Sequence, residues 1–89
     1  MNNLRIAMLQ IAPAGTLEKN MEKGLRYCRQ AKEKNADIAL FPEMWSCGYR
    51  IPEDLKELQA LSITKDSAFI TEYRRIAKEL NMAVGVTFL

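Results

Sequence analysis

Apolar residues fall along this chain in short unbroken runs, separated by longer stretches in which they recur every three or four positions. Leu4 to Ile11 is the first run, closed by Pro13 and Gly15. A short, mostly apolar run ended by turn residues predicts a buried strand. Thr16 is placed to cap a helix that follows. Leu17, Met21, Leu25, Cys28 and Ala31 then share one face of an amphipathic helix running to about Glu33. Lys32 and Lys34 suit the negative end of its dipole, and Asn35 is a stop. Asp37 to Phe41 is a second apolar run, closed by Pro42, of the kind found in parallel strands covered on both faces. Glu43 to Ile51 reads as a loop. Leu55, Leu58 and Leu61 predict a short helix over 52–61, with Pro52 in its first turn. Asp66 or Ser67 caps a further helix with Phe69, Ile70, Tyr73, Ile76, Ala77 and Leu80 on its apolar face. Met82 to Leu89 predicts a third strand.

The order β-α-β-(short α)-α-β places the chain in the α/β class, with a parallel sheet and right-handed crossovers. Its 89 residues make at most one small domain. Two helices cover about one face of three strands. The other face is left apolar, which soluble monomers rarely tolerate. The third strand also runs to the last residue, with no turn after it. Residues 1–89 are therefore expected to be an incomplete portion of a larger domain, or half of something that pairs with another subunit.

Composition narrows the chemistry. The net charge of +2 is too small and too scattered to argue for nucleic acid or a membrane surface. Arg74-Arg75, near Glu72 and Glu79, reads as a solvated helix face. Two cysteines without a CxxC spacing suggest neither a disulfide scaffold nor a zinc site. Histidine is absent, so Ser-His-Asp and Cys-His machinery is excluded within these residues. No targeting segment or membrane-length apolar run is visible, and the expected compartment is the cytosol. Phosphate and dinucleotide motifs are missing.

In open α/β sheets reactive groups gather at the carboxyl ends of strands. Of the strand ends here, the second carries an ionisable group, in Phe41-Pro42-Glu43-Met44-Trp45. A carboxylate partly desolvated by neighbours such as Trp45 and Tyr49 becomes a better general base. The competing reading is that Glu43 caps the next turn or faces water. Trp45 and Tyr49 also have two readings: they line a substrate pocket, or they pack the loop onto its own sheet. Gly48 serves the turn. Cys28 lies on the apolar helix face, where a cysteine behaves as a small hydrophobe. Cys47 is a loop residue near the mouth of any pocket beside Glu43.

The segment Phe41-Pro42-Glu43-Met44-Trp45-Ser46-Cys47-Gly48-Tyr49 resembles the signature of the nitrilase superfamily of carbon–nitrogen hydrolases, an apolar strand running into F-P-E and then on to G-Y. Ala7 to Gln10 is similar to that family's first strand, Asn20 stands where its first helix often has Asn, and Val84-Gly85-Val86 is similar to its third strand. The resemblance implies the βαβαβ N-terminal part of an α-β-β-α sandwich. It implies hydrolysis of a non-peptide C–N bond in an amide, carbamoyl amine or nitrile, through a Glu, a Lys and a Cys. The Cys attacks the substrate carbon, the Lys holds the developing negative charge, and Glu43 takes the place of the general base. The resemblance also puts Tyr49 beside that base, implies no metal or organic cofactor, and carries the expectation of a homo-oligomer acting on a small molecule. It departs in one respect. The family's Lys and Cys follow later strands, beyond Leu89, so this chain alone is expected to be inactive. A non-catalytic interaction module, binding through the exposed sheet face or the Met44–Tyr49 loop, stands as the alternative.

Overall fold

A computed structural model describes residues 3–48 and 53–89. The elements follow the expected order: β1 (Ile6–Met8), α1 (Leu17–Glu33), β2 (Ile38–Leu40), α2 (Leu55–Leu61), α3 (Ala68–Leu80) and β3 (Ala83–Gly85). The strands form one parallel sheet in the order β1-β2-β3. Ile6, Ile38 and Ala83 lie side by side across it, as do Met8, Leu40 and Gly85.

Helix starts are set where the capping residues stand. The Thr16 hydroxyl accepts from the Lys19 N–H at 3.1 Å, and the Ser67 hydroxyl accepts from the Ile70 N–H at 3.3 Å. Each satisfies one of the orphan donors of a first turn. Asn35 and Asn81, just past the two long helices, take left-handed conformations with φ of 63° and 51°. Asn tolerates that geometry better than most residues, so the chain reverses there. The start of β1 is pinned to the α1–β2 turn. The Arg5 N–H donates to the Asp37 carboxylate at 2.8 Å, and the Arg5 guanidinium donates to the Lys34 carbonyl at 3.0 Å.

One core forms on one face of the sheet. Cys28, Ala31, Ala39, Phe69, Ile70, Tyr73, Ile76 and Met82 are buried in it, with Ala7, Leu9, Phe41, Val84 and Val86 packed alongside. Strand residues alternate in facing, so Ile6, Met8 and Leu40 point the other way. They are 48%, 71% and 39% exposed. The apolar run of β2 predicts cover on both faces; among the described residues the cover is one-sided, as expected of two helices on three strands, because α1 and α3 pack against each other on the same side.

The strands are shorter than the apolar runs. Ladder pairing ends where the backbone turns toward the loops at the carboxyl edge, so Val86–Leu89, read as strand, leave the sheet after Gly85. α2 buries none of its residues, and its Leu55 is exposed. Pro52, expected in its first turn, lies outside the described residues; Asp54 is the N-cap.

Candidate functional site

Parallel strands put all their carboxyl ends at one edge, so the segments after β1, β2 and β3 converge there. Glu43 opens the turn that follows β2, and its carboxylate is exposed. It makes no ion pair among the described residues. A cleft of about 180 Å³ brings it together with Ile11 and Pro13 from the β1 exit, and with Pro42, Trp45 and Gly48 from its own turn. That volume is below the ~300 Å³ at which ligand pockets usually begin, room for the reacting end of a molecule rather than the whole. A larger groove, about 360 Å³, runs between the free edge of β1 and α1. Its ionisable lining residues are Tyr27 and Lys34, and its lining contains no carboxylate, thiol or imidazole.

The turn around Glu43 is gripped from several elements. Asn20, on α1, is buried yet fully used. Its carbonyl oxygen accepts from the Ala14 N–H at 2.5 Å, and its amide nitrogen donates toward the Trp45 and Ser46 carbonyls at 3.4 and 3.3 Å. One side chain thus ties the β1 exit to the β2 exit, the two walls of the cleft. Leaving such a group unpaired in the interior costs about 1–3 kcal/mol, so both loops are held where Asn20 needs them.

Trp45 turns inward. It is 1% exposed, its ring lies 5.5 Å from Phe41, and its indole N–H donates to the Tyr73 hydroxyl at 3.0 Å. The Tyr73 hydroxyl in turn donates to the Met21 carbonyl at 3.2 Å. Burial pushes the Tyr73 phenol well above its usual range, against the opposing pull of the Trp45 bond, so it stays a neutral donor. Trp45 therefore packs the loop onto the sheet and also borders the cleft. Tyr49 lies outside the described residues.

Gly48 takes φ +64°, and a Cβ there would fall 2.5 Å from the Pro13 ring. The close approach of the two cleft walls requires glycine at this point. Neither cysteine faces the cleft. The Cys47 thiol is turned back to the Met44 carbonyl of its own turn at 3.6 Å, and Cys28 is sealed in the core. Lys23, placed on a helix by the sequence, sends its ammonium to the Ala12 carbonyl at the β1 exit, 2.8 Å away. No group of His, Cys, Asp and Glu among the described residues is arranged to hold a metal. No described helix is long and apolar enough to cross a membrane.

The cleft holds Glu43 and Trp45 beside Gly48; sequence reasoning gathered Glu43, Trp45 and Tyr49 at this site. It noted Asn20 as a position without a task, and it missed Thr87. The Thr87 hydroxyl accepts from the Met44 N–H at 2.6 Å and donates to the Pro42 carbonyl at 3.3 Å. The available signal was a hydroxyl residue in an otherwise apolar run.

The sequence model of the carbon–nitrogen hydrolase family matches residues 5–89. Two curated relatives are glutamine-dependent NAD(+) synthetases. That of Thermotoga maritima is 28% identical over 90 residues, covering 100% of this chain and 15% of the relative. That of Acinetobacter baylyi is 30% identical over 86 residues, covering 96% of this chain and 15% of the relative. The solved structure of an amidase from Nesterenkonia sp. superposes with a TM-score of 0.71 over 91% of this chain and 30% of that one, at 24% sequence identity. At that identity the likeness shows the fold alone.

Proposed function

This chain belongs to the carbon–nitrogen hydrolase family and has the βαβαβ part of its α-β-β-α sandwich, and from that premise we propose that residues 1–89 are the N-terminal portion of a hydrolase of non-peptide C–N bonds in which Glu43 is the general base. The observation that carries the reading is the family match over 5–89, which takes in a carboxylate at the exit of the middle strand, in a cleft walled by two braced loops. The base takes the proton of an attacking thiol, gives it to the departing nitrogen, then takes a proton from the water which releases the acyl group and returns it to the thiolate. No Lys or Cys borders the cleft among the described residues. The oxyanion-stabilising Lys and the nucleophilic Cys are proposed to come from sequence beyond Leu89, and the 89-residue chain alone is expected to show no turnover. We assign the protein a small-molecule substrate, no metal or organic cofactor, a homo-oligomeric state and a cytoplasmic location. Within the substrate class, the glutamine dependence named for both curated relatives favours a carboxamide over a nitrile.

The test is turnover by the full-length protein on L-glutamine, N-carbamoylglycine and benzonitrile, followed by ammonia release. Glu43→Gln keeps the shape and removes the base. Its kcat is expected to fall by about 10²- to 10⁴-fold, the usual contribution of a positioned base. Undiminished turnover in that variant overturns the assignment. Turnover by the 89-residue chain that Glu43→Gln abolishes would overturn the need for residues beyond Leu89.

A further inference from the structure

We propose that Thr87 is a positioning residue for Glu43, holding the peptide groups on either side of it. The inference rests on the general-base reading of Glu43 and extends it to how the base is aimed.

Glu43 sits between two fixed points. The carbonyl before it, of Pro42, accepts from the Thr87 hydroxyl, and the N–H after it, of Met44, donates to the same hydroxyl. One oxygen atom thus spans the residue on both sides. The direction of the Glu43 Cα–Cβ bond follows from the backbone angles between those points, so the span sets where the side chain departs from the turn. Among the described residues, no other hydrogen bond from beyond the turn reaches these two groups.

The turn needs such a clamp. Met44 takes φ +56°, the left-handed region that a non-glycine side chain enters at a cost. Such a conformation persists where surrounding contacts over-determine it. Asn20 holds the later part of the turn, at Trp45 and Ser46, and the Leu89 N–H donates to the Ser46 hydroxyl at 3.1 Å. Among the described residues, Thr87 alone reaches from outside the turn to the peptide groups that flank Glu43. The task also explains the residue type. A group that must accept and donate at once, at short reach, is a hydroxyl. The β-branch of threonine further limits the side chain to few rotamers. Because Thr87 leaves β3 just past its last paired residue, Gly85, the clamp ties the exit of β2 to the exit of β3.

Thr87→Val keeps shape and branching but removes both bonds; Thr87→Ser keeps the hydroxyl. In the full-length protein, acting on whichever of the three substrates above it turns over fastest, Thr87→Val should lower kcat by about tenfold to a hundredfold, the scale of a misplaced catalytic group, with KM within about twofold. Thr87→Ser should stay within about threefold of wild type. Amide hydrogen exchange should show faster exchange at Met44 in the valine variant and wild-type exchange in the serine variant. An unchanged kcat in Thr87→Val, or serine falling as far as valine, overturns the proposal. So does unchanged Met44 exchange in the valine variant. Failure of the base reading is a separate result: it shows as full turnover in Glu43→Gln, while Met44 exchange reports on the clamp independently of turnover.

Discussion

Cys28 is fully buried against α3, and its burial pushes the thiol up to about 11, more than the neighbouring Arg29 charge pulls it down. The neutral thiol is the form the fold favours. The resulting stability is fully present below the ordinary value of 9.0 and is lost as the pH rises through about 11. The buried Tyr73 phenol shifts in the same direction. Between about pH 8 and about pH 10.5 the wild type should lose about 2 kcal/mol more unfolding free energy than Cys28→Ala, measured by denaturant titration. Equal losses in the two proteins would mean that the thiol ionises freely in the fold. Residues of this kind were partly legible in advance. Cys28 shared a helical stripe with Leu17 and Leu25, and Thr16 and Ser67 announced their helices. Asn20 and Thr87 did not declare their tasks, because each has hydrogen-bond partners 25 or more positions away.

At the scale of elements, α1 shows what periodicity omits. Its buried residues are Asn20, Gly24, Cys28 and Ala31, with Leu17, Met21 and Leu25 only partly covered. The deepest line of the helix therefore begins with a polar residue and a glycine, which an apolar count passes over. Gly24 lets α1 approach the aromatic group under the Glu43 turn. A Cβ there would fall 1.9 Å from the Tyr73 hydroxyl and 2.7 Å from Phe41. At an exposed helix site, glycine to alanine gains up to about 1 kcal/mol from propensity. Here Gly24→Ala should instead destabilise by about 1–3 kcal/mol through overpacking, read from thermal or denaturant melts. Combining it with Tyr73→Phe should cost less than the two changes added, because the clashing oxygen is gone. A stabilised Gly24→Ala would show that the helix and Tyr73 do not meet this closely. The strands err in the other direction: apolar runs overstate them, since an apolar residue after the last ladder bond looks the same in sequence as one within it.

Across the whole molecule, the sheet is covered on one face and open on the other. Leu4, Ile6, Met8 and Leu40 stand exposed, a contiguous apolar surface of the sort that marks an interface. In the family's sandwich such a face meets a second sheet, and the chain spans 15% of the curated relatives it matches. The 89-residue chain alone should bind a hydrophobic dye and associate as its concentration rises. Met8 and Leu40 are cross-strand partners, so Met8→Lys with Leu40→Glu places opposite charges side by side. That pair should suppress both dye binding and association in sedimentation and fluorescence measurements. A wild-type chain that stays monomeric and binds no dye would mean that the face is covered.

The sequence by itself determined the class and order of the elements, the starts of the two long helices and the strand-end position of Glu43. These are local matters: periodicity, capping and turn residues act over a few positions, and the F-P-E segment carries its family likeness in adjacent residues. Only the tertiary structure decided that Trp45 turns into the core while Glu43 faces solvent, and that the β1 and β2 exits close on one cleft. It alone assigned Asn20 and Thr87 to the bracing of that turn. The physical reason is distance along the chain. A hydroxyl at 87 and a peptide group at 44 become partners only once three strands lie parallel and their exits meet, and no local pattern records that meeting.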